Sequence, residues 1–338
     1  MATPAIAAPH NRLLARFAWF AVFYNVLVIV WGALVRASGS GAGCGNHWPL
    51  CNGQVIPVSP GFHTIIEFTH RMMTGGSLAI VLVLLIWTFR ATAKGQAARW
   101  FTIATALLLL NEALLGALLV KLGYVTGNDS TGRIVVLSIH LSNTLLLMAA
   151  LTLTARFLSP ELRLNPQSWT GLHCARGFGW VLAGLAATIG VGVSGSMAAL
   201  GDTLFPAPSL QAAFAQDFAA NSPMLLRLRL VHPVCALVAA AFVLWLVARS
   251  HQIGPHKLPA QEPYRTFLGY LLLALLALQF ALGVADVLLL TPAWMQLLHL
   301  FGADLYWVTL VLLAAETMWP VTPATQPAQA ISHSASIA

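Results

Sequence analysis

Glu67-Phe68-Thr69-His70-Arg71 sets a carboxylate, an imidazole and a guanidinium into an apolar run that continues without further charge from Met72 to Trp87. Read as a helix, the stretch puts Glu67 and His70 on one face as i and i+3 neighbours, with His63 a turn further out. Ionisable residues in a membrane-length segment are costly to bury and mark functional positions. One such histidine also fits an ordinary buried side chain. What separates the two readings is repetition: His140, His232 and His299 stand in apolar stretches of the same kind.

Composition sets the class. Of the 338 residues, 58% are hydrophobic and only 8% are charged, and the mean hydropathy is +0.79. A soluble domain carries about 25% charged residues, so an all-α integral membrane protein is predicted. The N-terminus lacks a short apolar core followed by a small-residue cleavage site, so the first apolar stretch is expected to remain as a span. The net charge of +7 fits Lys and Arg held in loops on one side of a bilayer. No basic stripe interleaved with aromatics is present, which excludes the usual nucleic-acid footprint. Four cysteines are too few for a disulfide scaffold.

Eight stretches approach the ~20 residues a bilayer requires, at 17–35, 62–89, 97–120, 134–157, 177–197, 226–247, 267–290 and 294–316. Placing the N-terminus inside gives eleven Lys and Arg on the inner side and six on the outer, Arg71 included. Both termini are therefore predicted to be cytoplasmic. His70 in span 2 matches His232 in span 6, and His140 in span 4 matches His299 in span 8, at offsets of 162 and 159 residues. Leu115-Gly116 likewise matches Leu282-Gly283, and Ser38-Gly39-Ser40 is paired with Ser194-Gly195-Ser196. These matches predict two tandem, pseudo-twofold-related four-helix bundles, parallel because each unit has an even number of spans. The expected segments are an arm at 1–16, a bundle at 17–157, a cytoplasmic linker at 158–176, a second bundle at 177–316 and a disordered, Pro- and Ala-rich tail at 317–338.

The four histidines fall on the order of 10 Å into the outer ends of the even-numbered spans. Imidazoles at one depth, two per bundle, suit two bis-histidine haems held between facing helices. A zinc site would mix in Cys, Asp or Glu at short spacing, and a proton relay would not need the same position in both repeats. The halves differ beside their ligands: Glu67 stands three residues before His70, and Arg229 three before His232. A carboxylate next to a porphyrin suits proton handling, and an arginine suits an anionic propionate or a snorkelling position at the interface. Asn143 and Thr144, a turn beyond His140, are placed to orient a ring or a substrate. Asp286 and Asp304 are intramembrane carboxylates that fit helix–helix hydrogen bonding. In the first outer loop Cys44 and Cys51 flank a Gly, Trp and Pro segment on the oxidising face, where a pair of thiols can close a bridge, as a staple or in a redox role. Cys174 and Cys235 are expected to be unreactive.

These residues resemble the haem A synthase family. The matching stretches are GALVRASGSGAGCGNHWPLCNG from Gly32, EFTHRMMTGG from Glu67, IHLSNTLLL from Ile139, LVHPVCAL from Leu230 and LGVADVLLLTPAWMQLLHLFGADLYW from Leu282. The resemblance implies oxidation of the C8 methyl of haem O to a formyl group, giving haem A for cytochrome oxidase. It implies a substrate pocket in the first half with Glu67, His70 and His140, and a resident haem b on His232 and His299 in the second. Cys44 and Cys51 look like the family's outer-loop pair, and a second pair found in some members is missing here. Haem O, haem O synthase and oxidase assembly factors are the expected partners, beside a bacterial inner-membrane bilayer and a second copy of the chain. Two rivals come from other classes: a di-haem b-type electron-transfer protein and a haem carrier. A pure conduit needs no Glu67 beside one ligand, and a carrier would more often show inverted repeats and broken helices.

Overall fold

The computed structural model describes residues 12–159, 163–164, 177–250, 252, 262–319 and 321–322. Helix α1 (Arg12–Ala37) takes in Arg12 and Arg16 of the predicted arm. It is followed by α2 (Phe62–Ala91), α3 (Ala97–Lys121) and α4 (Thr131–Leu158). The second half comprises α5 (Phe178–Leu204), the short α6 (Leu210–Phe218) and α7 (Met224–Arg229), then α8 (Val231–Arg249), α9 (Glu262–Leu288) and α10 (Ala293–Met318). Among the described residues eight helical segments are long and apolar enough to cross a membrane, α7 and α8 together counting as one. The chain is a multi-pass membrane protein. Two-residue strands β1 (Arg163–Leu164) and β2 (Val321–Thr322) pair antiparallel, joining the linker to the start of the tail. The rest of the predicted tail, most of the linker and Cys174 lie outside the described residues.

Local chemistry explains where the helices start and stop. Ser130 caps α4, its hydroxyl accepting from the Arg133 N–H. Gly95, at φ +82°, turns the chain between α2 and α3 where a Cβ would be strained. The sixth span is a single stretch in the sequence but breaks at Leu230 in the structure. Pro233 is the cause: it has no N–H to offer the Arg229 carbonyl, and its ring clashes with that turn.

In the first half each helix packs on the next and α1 closes on α4. In the second, α5 packs on α7 and α8, and α9 on α10, whereas α8 and α9 touch only marginally. Between those two lies an apolar groove lined by Leu237, Leu244, Leu273 and Phe280. The halves meet along a seam of α1 and α4 against α5 and α10. Val22 of α1, Met148 and Leu151 of α4, Val181 of α5, and Leu310 and Leu313 of α10 are buried there in one cluster.

Three of the polar contacts across this seam join residues about one repeat apart. Trp307 Nε1 donates to the Leu145 carbonyl at 2.8 Å, a separation of 162 residues. Arg36 Nη1 donates to the Ala199 carbonyl at 2.7 Å, a separation of 163. Arg156 Nε donates to Glu316 at 2.5 Å, a separation of 160. Contacts between equivalent positions are what an isologous, twofold-like interface produces, so the pattern supports the tandem duplication. Arg36 also donates to Thr203 Oγ1 and Gln296 Oε1, which sets the ends of α1 and α5 level with the start of α10.

Arg156 and Glu316 are both almost fully buried, so removing Arg156 leaves the Glu316 carboxylate in the seam without its cation. Arg156→Met should cost about 3–5 kcal/mol, read as a lower unfolding temperature in detergent. The double change Arg156→Met, Glu316→Ala should recover most of the loss, and an unaltered melting temperature in the single variant would show that the pair does not hold the seam.

Candidate functional site

All four predicted histidines lie roughly 9–14 Å from the starts of their helical segments at 1.5 Å per residue, in α2, α4, α8 and α10. In the second half the rings of His232 and His299 face each other with centroids 6.5 Å apart and planes at 84°. Two imidazoles ligating one metal from opposite sides at about 2 Å each hold their centroids roughly 6–6.5 Å apart, so this pair fits a bis-histidine iron. Each Nδ1 is met from a neighbouring helix. Ser194 Oγ lies 3.3 Å from His232 Nδ1, and the Gln279 amide lies 3.1 Å from His299 Nδ1. These partners fix the rotation of each ring, the Gln279 NH2 donating to His299 Nδ1. Among the described residues no three His, Cys, Asp or Glu cluster to hold a metal ion.

Glycines make room for these rings. A Cβ on Gly195 of α5 would come within 2.8 Å of the His232 ring, and one on Gly283 of α9 within 3.5 Å of His299. In the first half Gly32 of α1 stands against His70 in the same way, at 3.0 Å. Gly32 and Gly195 are thus the equivalent positions. The match of Ser38-Gly39-Ser40 with Ser194-Gly195-Ser196 does not hold in space. The first motif lies beyond the end of α1, where Ser40 Oγ sits 3.0 Å from His63 Nδ1, whereas the second lies inside α5.

Glu67 is 4% exposed and both its oxygens are engaged. Arg71 Nη2 donates to Oε1 at 2.5 Å, and the Cys44 backbone N–H donates to Oε2 at 2.8 Å. Arg71 Nη1 also donates to the Leu50 carbonyl at 2.5 Å, and Thr64 Oγ1 to the Gly43 carbonyl at 2.8 Å. Cys44 and Cys51 are disulfide-bonded, with Cα atoms 4.3 Å apart, and both are buried. The outer loop is therefore clamped onto the start of α2, one turn from His70. Gly43 permits that docking, since a Cβ there would strike the His63–Thr64 backbone. Arg229 does not reach toward the paired rings as an isolated cation. It donates to Asp202 at 2.7 Å and to Asp217 at 2.6 and 3.0 Å.

One carboxylate of the site was not singled out from the sequence. Glu112 of α3 lies with Oε1 3.4 Å from His140 Nδ1. Asn143 Nδ2 donates to Glu112 Oε2 at 2.6 Å, and Thr144 Oγ1 makes a short hydrogen bond to Oε1. The predicted orienting residues Asn143 and Thr144 thus act on Glu112. Its signal was present in the sequence, as an acidic residue within the 97–120 apolar span. Asp286 and Asp304 each keep one oxygen without a hydrogen bond among the described residues, and Asp304 is buried in α10. Cys235 is a free, partly buried thiol on α8.

The profile of the cytochrome oxidase assembly protein family, COX15-CtaA, matches residues 15–311. The chain belongs to this family. It is 41% identical over 307 residues to a protein of Thermus thermophilus named protoheme IX farnesyltransferase, covering 90% of the chain and 48% of that protein. It is 36% identical over 128 residues to the heme A synthase of Alkalihalophilus pseudofirmus, 38% of the chain and 40% of that protein. A third relative, the heme A synthase of Halalkalibacterium halodurans, is 32% identical over 174 residues, 51% of the chain and 55% of that protein. The chain spans about half the length of the curated relatives it matches.

The glycine–imidazole contacts and the clamped loop each give this family member a direct test. Gly195→Val should displace the His232 ring and weaken or abolish a low-spin haem spectrum in purified protein, while a spectrum identical to wild type would show that the ring has room to spare. Thiol labelling of intact, unreduced protein should leave Cys44 and Cys51 unmodified until a reductant and a denaturant are added together, because both are buried as well as bonded.

Proposed function

We propose that the chain is a haem A synthase, which oxidises the C8 methyl group of haem O to a formyl group in two successive steps and so supplies haem A for cytochrome c oxidase. The observation that carries the reading is the unequal setting of two similar histidine pairs. His140 faces the carboxylate of Glu112, with the Glu67–Arg71 ion pair one turn from His70, whereas His299 faces the neutral amide of Gln279. An electron conduit or a haem carrier has no use for acidic groups at one pair alone. The heme A synthase relatives support the same assignment.

In this reading haem O binds in the first half between His70 and His140, and a resident haem b in the second between His232 and His299. Haem b bound there supplies one-electron transfer beside the substrate. His70 and His140 fix the substrate's iron and hence the position of its methyl group. Glu67 lies between the outer loop and His70, where a carboxylate can pass protons as the methyl is taken through an alcohol to a hydrate that loses water. Arg229 uses three N–H donors on Asp202 and Asp217 and has others to offer a haem propionate. Haem O synthase, as the source of haem O, and oxidase assembly factors are the proposed partners. Both termini face the cytoplasm, with the haem sites near the outer face of a bacterial inner membrane.

Pigment extraction tests the activity. Expressed in a host without its own haem A, the chain should yield haem A only when haem O is also made. Haem b bound with no haem A formed would instead assign the chain to electron transfer or haem carriage. Glu67→Gln should lower haem A formation about 10²–10⁴-fold while the second-half haem spectrum stays unchanged. Near-normal yield from that variant would leave Glu67 with the loop clamp as its whole role.

A further inference from the structure

We infer that Glu112 is a positioning residue that holds the proton of His140 on Nδ1 and strengthens its Nε2 as an iron ligand, so that the two halves carry ligands of different donor strength. The inference rests on the proposal that His140 ligates the substrate haem.

Three features carry it. First, both hydrogen bonds made to Glu112 come from donors, the Asn143 amide and the Thr144 hydroxyl, and the His140 ring nitrogen is the third polar atom beside it. A carboxylate surrounded by donors acts only as an acceptor. Second, that network is itself oriented. Asn111 Nδ2 donates to Asn143 Oδ1 at 2.8 Å, which turns the Asn143 NH2 toward Glu112 and the Leu108 carbonyl. The Glu112 oxygen nearest His140 is therefore held in place, and His140 Nδ1 is a buried atom with no hydrogen bond of its own among the described residues. At 3.4 Å the two are about half an ångström from a normal N–H···O distance. Third, the second half holds an internal control. Glu112 stands four residues before Gly116, and Gln279 four before Gly283, so the two occupy the same place in the repeat. Gln279 likewise meets the Nδ1 of its own histidine, His299, at 3.1 Å. An amide can turn either its oxygen or its NH2 to a ring, and carries no charge. The carboxylate can only accept, and its negative charge makes the opposite ring nitrogen more basic.

The first readout needs no added haem. In the purified full chain, before haem O is supplied, ¹⁵N-histidine NMR should find the His140 proton on Nδ1, and Glu112→Gln should give a mixture of tautomers. A proton on Nε2 in the wild type overturns the inference. The second readout uses haem O itself. Glu112→Gln should weaken its binding about 10- to 100-fold and raise its reduction potential, with the second-half haem unmoved. Wild-type affinity and potential in that variant overturn the inference. Gln279→Glu provides the reverse exchange without touching the first half, and should lower the potential of the second-half haem; an unchanged potential there also counts against the inference. If the wild type binds no haem O at all, the proposed function fails, and the NMR measurement still decides the Glu112–His140 pair.

Discussion

A charged side chain among membrane-spanning helices has no water to retreat to and must find its partner inside the protein. That constraint organises this molecule. Arg36 donates to groups on α5 and α10, and Arg156 pairs with Glu316 of α10. Glu67 is satisfied by Arg71 and by the backbone of the outer loop. Each polar pairing fixes the relative height of two elements, which apolar packing alone would leave free to slide. The apolar cluster around Leu310 and Leu313 then fills the seam that these pairings have aligned. The levels of the four histidines follow from this alignment.

The two halves solve one problem with different chemistry. Both bring an imidazole against a glycine, Gly32 with His70 and Gly195 with His232, which spaces the helices so that a flat cofactor can stand between rings. Around that shared frame the polar groups diverge. The first half has Glu112 beside His140 and a disulfide loop held down by Glu67 and Arg71. The second has Gln279 beside His299 and Ser194 beside His232, and Arg229 is paired there with both Asp202 and Asp217. His140 thus meets a carboxylate where His299 meets an uncharged amide.

Much of this was legible in the sequence, and for a clear physical reason. Membrane spans are announced by length and hydropathy, because every backbone polar group in lipid must be paired within its own helix. Intramembrane histidines stand out because they are costly, and their spacing of about one repeat is what suggests a duplication. The family follows from the same residues, GALVRASGSG and EFTHRMMTGG among them. The break at Leu230 was also within reach, since Pro233 writes it into the chain four residues beyond Arg229.

What the sequence could not supply was which side chain meets which across helices that are far apart in the chain. Three polar residues around one ligand, Glu112, Asn143 and Thr144, read as separate facts until α3 and α4 pack and bring them to a single ring. Likewise a repeated Ser-Gly-Ser motif suggested an equivalence that space does not honour, because similarity of letters does not register depth in a bilayer, whereas the glycine facing each imidazole does. Sequence determined the spans, the histidines and the family, all of which rest on local composition and spacing. Tertiary structure alone decided the partners of Glu67, Arg229 and His140, because a hydrogen bond between helices depends on their rotation and height, which no local pattern encodes.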